Sequence, residues 1–153
     1  GRAERGWPIR GPWDVRGRGE LGTSWVDDFS ALPASQRFFA GGDRSVRGFA
    51  LNELSPPLDG TQTRAGSSGQ GGGGEHKIVA SVELERDFPR NFRGAVFFDT
   101  GNAFNDWSTP LEYSVGIGVR WRLPMLMIGI DVAQALSESG RRPRLHLNIT
   151  QVL

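Results

Sequence analysis

The chain has 153 residues, 37 % of them hydrophobic, with 22 glycines and a formal net charge of +1. That balance supplies no global basic field for nucleic acid, and the absence of cysteine excludes disulfides, thiolate metal sites and cysteine nucleophiles. No run approaches the ~20 apolar residues of a membrane helix, and the opening GRAERGWPIRG lacks the apolar core of a signal peptide.

Helical periodicity is nearly absent, and period-2 alternation takes its place. A first strand is predicted at about 14–25, where Val15, Leu21 and Trp25 stand opposite Arg16, Arg18 and Glu20. Gly17, Gly19 and Gly22 blur its limits. Residues 27–60 carry turn residues without sustained alternation, and GSSGQGGGG at 66–74 has the composition of a flexible tether. Five strands are predicted within 76–153. In KIVASVELE (77–85), Ile78, Ala80, Val82 and Leu84 share one face; Lys77, Val79, Ser81, Glu83 and Glu85 share the other. RGAVFFDT (93–100) alternates less clearly, because Phe97 and Phe98 fall on opposite faces. EYSVGIGVRWR (112–122) sets Tyr113, Val115, Ile117, Val119 and Trp121 against Ser114, Gly116, Gly118 and Arg120. LMIGIDVA (126–133) and LHLNITQVL (145–153) repeat the pattern. Breakers at 87–91, 101–110, 122–125 and 137–143 alternate short and long, as the connections of an up-and-down barrel do.

A soluble β-sandwich also alternates, but three details favour a barrel in lipid. The non-apolar face is small or charged (Gly116, Gly118, Arg120, Gly129, Asp131), which a water-filled or plugged lumen accepts. Aromatic residues gather near strand ends (Trp25, Phe88, Phe92, Phe104, Trp107, Trp121), as interfacial girdles do. Several strands reach the roughly 9–11 residues that a tilted membrane strand needs.

Residues 37–49, RFFAGGDRSVRGF, resemble the long inward-folded loop of the bacterial outer-membrane insertase superfamily, which includes BamA, TamA and the two-partner secretion transporters. The core of the motif is Val46-Arg47-Gly48-Phe49. Its extension through Arg37, Phe38, Phe39, Gly41, Gly42, Asp43 and Arg44 looks most like the TamA branch, the barrel subunit of the translocation and assembly module. The resemblance continues through VASVELERD (79–87), through GAVFFDTGNAF (94–104) with Phe97 and Gly101, and through GIGVRWRLP (116–124), covering about residues 20–153.

This resemblance implies an all-β fold. The chain would be the C-terminal part of a roughly sixteen-stranded transmembrane β-barrel: about six antiparallel strands and a long inward-folded loop at about 27–75. About six strands cannot close, since the smallest single-chain bacterial barrels have about 8, so the chain reads as a fragment lacking earlier strands and periplasmic domains. The resemblance further implies an outer-membrane location, no enzymatic activity, and neither cofactor nor metal. It implies a factor that inserts or secretes client proteins such as autotransporters. Its partners would be outer-membrane lipid, client outer-membrane or secreted proteins and an inner-membrane subunit, with no nucleic acid. A two-partner secretion transporter, or the barrel portion of a phospholipase fusion, is the alternative within the superfamily.

In that superfamily the loop arginine pairs with acids on the barrel wall, and the matching positions are Arg47, Glu83 and Asp99. The alternation agrees independently. With Glu83 inward, Ile78, Ala80, Val82 and Leu84 face lipid; with Asp99 inward, Val96 and Phe98 do, and no charge enters hydrocarbon. Gly48 is expected to let the backbone turn tightly beside the pair, with Gly41 and Gly42 doing so upstream. Phe38, Phe39 and Phe49 are expected to pack the loop tip inside the wall. The stretch 145–153 would be an edge to which a client strand adds by β-augmentation.

Other readings are weaker. Phe97-Phe98-Asp99-Thr100-Gly101 contains the D-T-G of aspartic proteases, but Asn102 follows where a small Ser or Ala is usual, and Arg37 to Phe49 stay unexplained. The glycines at 71–74 are not followed by Gly-Lys-Ser/Thr, so they form no phosphate loop. His76 and His146 are too few for a metal site, and Asp27, Asp28, Asp43 and Asp59 lack calcium-loop spacing. Asp106 reads as a surface-loop residue.

Overall fold

The computed structural model describes residues 1–26, 28–57, 71–138 and 140–151. Seven strands form one antiparallel sheet in chain order: β1 (Arg2–Arg10), β2 (Trp13–Thr23), β3 (His76–Phe88), β4 (Phe92–Phe104), β5 (Glu112–Arg122), β6 (Leu126–Ala135) and β7 (Arg144–Gln151). Short turns join β1–β2, β3–β4 and β5–β6 at one end. Longer loops join β2–β3, β4–β5 and β6–β7 at the other. Gly11, at φ +64°, reverses the first hairpin, and Arg90 and Asn91, at +64° and +63°, reverse the second. All three adopt the left-handed backbone that such turns demand.

About six antiparallel strands were expected and seven are described. The addition is β1, whose run RAERGWPIR has its apolar alternation at Ala3, Trp7 and Ile9 broken by Arg5 and contains Gly6 and Pro8. Pro8 lies next to the register shift between Pro8 and Arg10, where a missing N–H is tolerated. β2 ends at Thr23, short of Trp25. β4 runs through Gly101 to Phe104, a stretch read from sequence as the start of a loop; its pairing with β3 extends to Phe104↔His76 and overrides the local breakers.

The two faces of the sheet invert the usual pattern of a soluble protein. On the outer face Val82, Val96, Ile117 and Leu147 are 55 %, 51 %, 63 % and 65 % exposed, while on the inner face Glu83, Asp99 and Asp131 are 7 %, 0 % and 2 % exposed. An exposed apolar face this continuous, backed by a buried charged one, is the pattern a barrel wall presents to hydrocarbon. Aromatic rings mark both ends of the outer face. Phe92 stacks on Trp121 at 5.7 Å near the short turns, and His76, Phe104 and Trp107 pack together near the long loops.

The β2–β3 connection covers the inner face. Its first limb holds two 3₁₀ turns, Phe29–Ala31 and Ala34–Gln36. Phe38 then bridges Gly74, and Pro57 bridges Gly71. Residues 71–74 are therefore bonded into the loop, with Gly72, Gly73 and Gly74 buried, and they are not a free tether; the rest of that proposed tether, 66–70, lies outside the described residues, as do Asp27, Asp59 and Leu153. Where the loop meets the sheet, Ala40, Val46, Phe49 and Leu54 pack on Val79, Ala103 and Ala135 to make a small apolar core. Burying each large side chain there contributes about 1.5–3 kcal/mol. That core fixes how deep the loop sits and brings Arg47 to the wall.

Candidate functional site

The inner-face residues of adjacent strands form rows across the sheet. Arg16, Glu83, Phe97, Gly116 and Ala133 are register partners from β2 to β6, and Arg18, Ser81, Asp99, Ser114 and Ala135 form the next row. Gly116 has no side chain, and the Phe97 ring lies in the space a Cβ would take there. The Arg47 guanidinium stacks on that ring at 3.2 Å from its centroid. Glycine on β5 thus lets an aromatic on β4 lie flat, and the flat ring supports the loop cation.

Arg47 is held on every side. Its Nε donates to Asp99 Oδ2 at 2.9 Å, and Nη2 donates to Asp99 Oδ1 at 2.8 Å, a two-pronged fork. Nη1 donates to Glu83 Oε2 at 2.9 Å, and the backbone N–H of Arg47 adds a bond to Asp99 Oδ2 at 3.1 Å. Ser81 donates its hydroxyl to Asp99 at 2.6 Å. From β7, the His146 ring meets the Arg47 carbonyl at 2.7 Å. Burial opposes the charge on Arg47, but the hydrogen bonds and charge of Asp99, then those of Glu83, outweigh it and hold its pKa above the ordinary arginine value.

The cluster is larger than the three residues that sequence comparison points to. Arg120 on β5 pairs with Glu83 Oε1 at 2.8 Å and with Asp131 Oδ1 at 2.5 Å, and Asp131 Oδ2 lies 3.7 Å from Arg47 Nη1. Three carboxylates therefore share two guanidiniums. The signal for Arg120 and Asp131 lay in the alternation, which put both on the non-apolar face, but nothing in their spacing says that they meet. Gly118 makes room for them, since a Cβ there would collide with Asp131 and Arg120.

The remaining motif residues divide by role. Phe49 and Val46 are fully buried in the apolar core, with Phe38 packed against it. Phe39 is half-buried, with its ring beside Gly73 of the same loop. Arg37 braces the loop internally: it donates to the carbonyls of Leu32 at 2.8 Å and Gly72 at 3.0 Å and covers the Phe29 ring. Asp43 and Arg44 are exposed and line an inner-face cleft of about 240 Å³ together with Arg16, Arg18 and Arg120. Gly101 lies in β4, where a Cβ would press on the β3 backbone at Val79. Gly41 and Gly42, at φ +99° and +96°, do turn the chain in a region that favours glycine. Gly48 sits with Arg47 at the centre of a tight turn closed by the Phe49 N–H on the Val46 carbonyl at 3.1 Å, as expected, but without a positive φ. Its role is close approach, because a Cβ at Gly48 would lie 2.5 Å from Ser114 Cβ and 2.8 Å from the Ala135 nitrogen. Asp106 is fully exposed, and the backbone N–H of Ser108 holds its pKa below the usual carboxylate value.

The chain matches the Omp85 superfamily domain over residues 1–151. It belongs to that superfamily. As a chain of that superfamily it is a β-barrel segment of the bacterial outer membrane. The outer membrane protein assembly factor BamA of Nitratidesulfovibrio vulgaris is 30 % identical over 118 residues, which is 72 % of this chain and 14 % of that protein. The crystal structure of BamA from Haemophilus ducreyi lacking POTRA domains 1–3 superposes with a TM-score of 0.72 at 21 % identity, covering 99 % of this chain and 34 % of that one. The Omp85 chain described here thus spans a minor part of both relatives.

Proposed function

We propose that the protein carrying this chain is an outer-membrane assembly factor, and that this chain supplies the C-terminal wall and inward loop of a roughly sixteen-stranded barrel. Its role is the insertion or translocation of client proteins such as autotransporters. Of the branches of the superfamily, the loop sequence favours a TamA-like role with an inner-membrane partner subunit. The single observation that carries the reading is the buried Arg47, which ties a loop inside the sheet to acids on two wall strands, Glu83 and Asp99. A channel-forming wall does not require such a pin, whereas a wall that must hold its late strands in register while clients engage its edge does. In this reading Arg47 fixes the loop, the loop spans the inner face from β3 to β7, and β7 is thereby presented in a defined register.

The test is replacement of the full-length gene by its Arg47→Ala form in the native host. The expected result is reduced surface delivery of client autotransporters and barrels while the variant itself still reaches the outer membrane. Client delivery unchanged at normal levels of the variant would refute the role.

A further inference from the structure

We propose that Arg86, on the outer face of β3, anchors the headgroup of an anionic phospholipid from the inner leaflet of the membrane, with an acyl chain of that lipid lying in the apolar groove beside it. The proposal rests on the barrel reading above and gives its lipid-facing surface a specific ligand. Among the outward residues of β2 to β7, Arg86 is the only arginine, lysine or carboxylate. β1 adds Arg5, which lies over the Trp7 ring at 5.7 Å, and Arg10, paired opposite Trp13 beside the first hairpin turn. A charge on a wall that faces hydrocarbon is costly, and where one is kept it ordinarily has a partner.

Arg86 is the register partner of Trp13 on β2 and of Gly94 on β4. It stands two residues before Phe88, the last residue of β3, so at a rise of about 3.3 Å per residue its Cα lies roughly 7 Å along the strand from the short turn. Its guanidinium lies over the Trp13 ring at 5.1 Å and over the Phe88 ring at 5.2 Å. Both rings belong to the turn-ward ends of their strands, so the side chain bends toward the membrane surface, as a snorkelling arginine does. The rings hold the cation by its flat faces and leave its N–H groups free. Among the described residues the Arg86 guanidinium has no hydrogen bond and no ion pair. The acids of this end are engaged on the inner side, where Asp14, Glu85 and Asp87 pair with Arg93 at 3.1, 2.7 and 2.6 Å.

An open groove of about 310 Å³ continues from Arg86 over the outer face. Trp13, Arg86 and Phe88 stand at its turn-ward end, and Leu84 and Val96 line it deeper in the membrane. Gly94 shapes it: having no side chain, it lets the Phe88 ring settle 3.0 Å from where a Cβ would stand. A cation at the surface end and apolar walls below it match the two parts of a phospholipid. The phosphate takes two parallel N–H groups of the guanidinium, and an acyl chain covers the walls. A net negative headgroup fits best, because a zwitterionic one brings its own ammonium to compete for the phosphate. Arg10 and Arg90, both exposed at the short turns, add to the attraction. Short turns lie on the periplasmic side of up-and-down barrels, and that side selects the inner leaflet.

The experiment places a fluorescent probe on a single cysteine of the full-length protein in phosphatidylcholine vesicles. One form carries it at Val119, the outward register partner of Gly94, and a control carries it at Leu147, in the same register row on β7. Each is quenched by a minor share of brominated phosphatidylglycerol or by the same share of brominated phosphatidylcholine. Phosphatidylglycerol is expected to quench the probe at 119 several-fold more than phosphatidylcholine does, and the two lipids to quench the probe at 147 equally. Arg86→Gln should abolish the preference at 119, and Arg86→Lys, which keeps the charge but not the fork, should retain part of it. The comparison of the two probes in the parent carries the test if Arg86→Gln fails to fold. Equal quenching by both lipids at 119, a preference of the same size at 147, or a preference that survives Arg86→Gln would overturn the site. So would a probe at 119 that neither lipid quenches while 147 is quenched, since a protein would then cover the groove. Neither probe quenched by either lipid would overturn the barrel reading as well.

Discussion

Removing the Arg47 side chain tests the energetics of the inner cluster, because the structure says which acid suffers. In Arg47→Ala, Glu83 keeps Arg120 at 2.8 Å and Asp131 keeps the same guanidinium at 2.5 Å. Asp99, fully buried, keeps only the Ser81 hydroxyl at 2.6 Å and the residue-47 backbone N–H at 3.1 Å of the bonds described above. It loses both prongs of the fork. Stranding one member of a buried ion pair costs about 3–5 kcal/mol, and here nearly all of that falls on one carboxylate. Neutralising it should recover part of the loss: Arg47→Ala with Asp99→Asn is expected to be more stable than the sum of the single changes, with a coupling of about 0.5–3 kcal/mol. The same cycle with Glu83→Gln should give a smaller coupling, since Arg120 already serves Glu83. The assay is urea unfolding of the full-length barrel in lipid vesicles, followed by heat-modifiable gel mobility and tryptophan emission. An Arg47→Ala loss below about 0.5 kcal/mol, or strict additivity with Asp99→Asn, would refute the argument.

Three further outcomes follow from the same geometry. Gly48→Ala puts a methyl group against Ser114 and the backbone of Ala135, so the loop must lift from the wall, with an expected destabilisation of about 1–3 kcal/mol and greater protease access to the 37–57 segment; native-like protection would contradict it. Phe97→Ala withdraws the platform beneath the Arg47 guanidinium and leaves a void beside Gly116, with an expected loss of about 3–5 kcal/mol by the same urea assay. Ile117→Arg, on the exposed outer face near the middle of β5, should cost about 2–4 kcal/mol in bilayers, whereas a charge placed at Gly129 on the rim of the inner cleft should cost less.

Much of this architecture is legible in the sequence, and the reason is periodicity. In β3 and β5 every second residue is apolar, so strand identity and facing follow from the pattern alone: Val82 and Ile117 are outward, and Glu83 and Gly116 inward. β1 escaped because Arg5 interrupts the apolar series of its outer residues Ala3, Trp7 and Ile9, and Gly6 and Pro8 disfavour a strand locally; pairing with β2 holds it extended. The last turn of β4 escaped for a related reason. Gly101, Asn102 and Ala103 have loop-like propensity, yet thirteen residues of register with β3 hold them extended. At the site, a thirteen-residue motif points to Arg47 and its acids, while Arg120, Asp131 and His146 depend on which strands become neighbours, which no local pattern encodes. An ion pair between Arg141 and Glu53 is further from reach still, since it joins two irregular loops 88 residues apart.

The central claim is that the apolar face meets hydrocarbon while the charged face, covered by its loop, does not. Fluorescent probes at single cysteines on the full-length protein in vesicles measure this directly, with quenching by brominated acyl chains as the readout. Probes at positions 82, 117, 130 and 147 should be strongly quenched by lipid, and probes at the inward neighbours 81, 116 and 133 should not. Equal quenching on both faces, or quenching of the outward set by a water-soluble agent alone, would contradict the account.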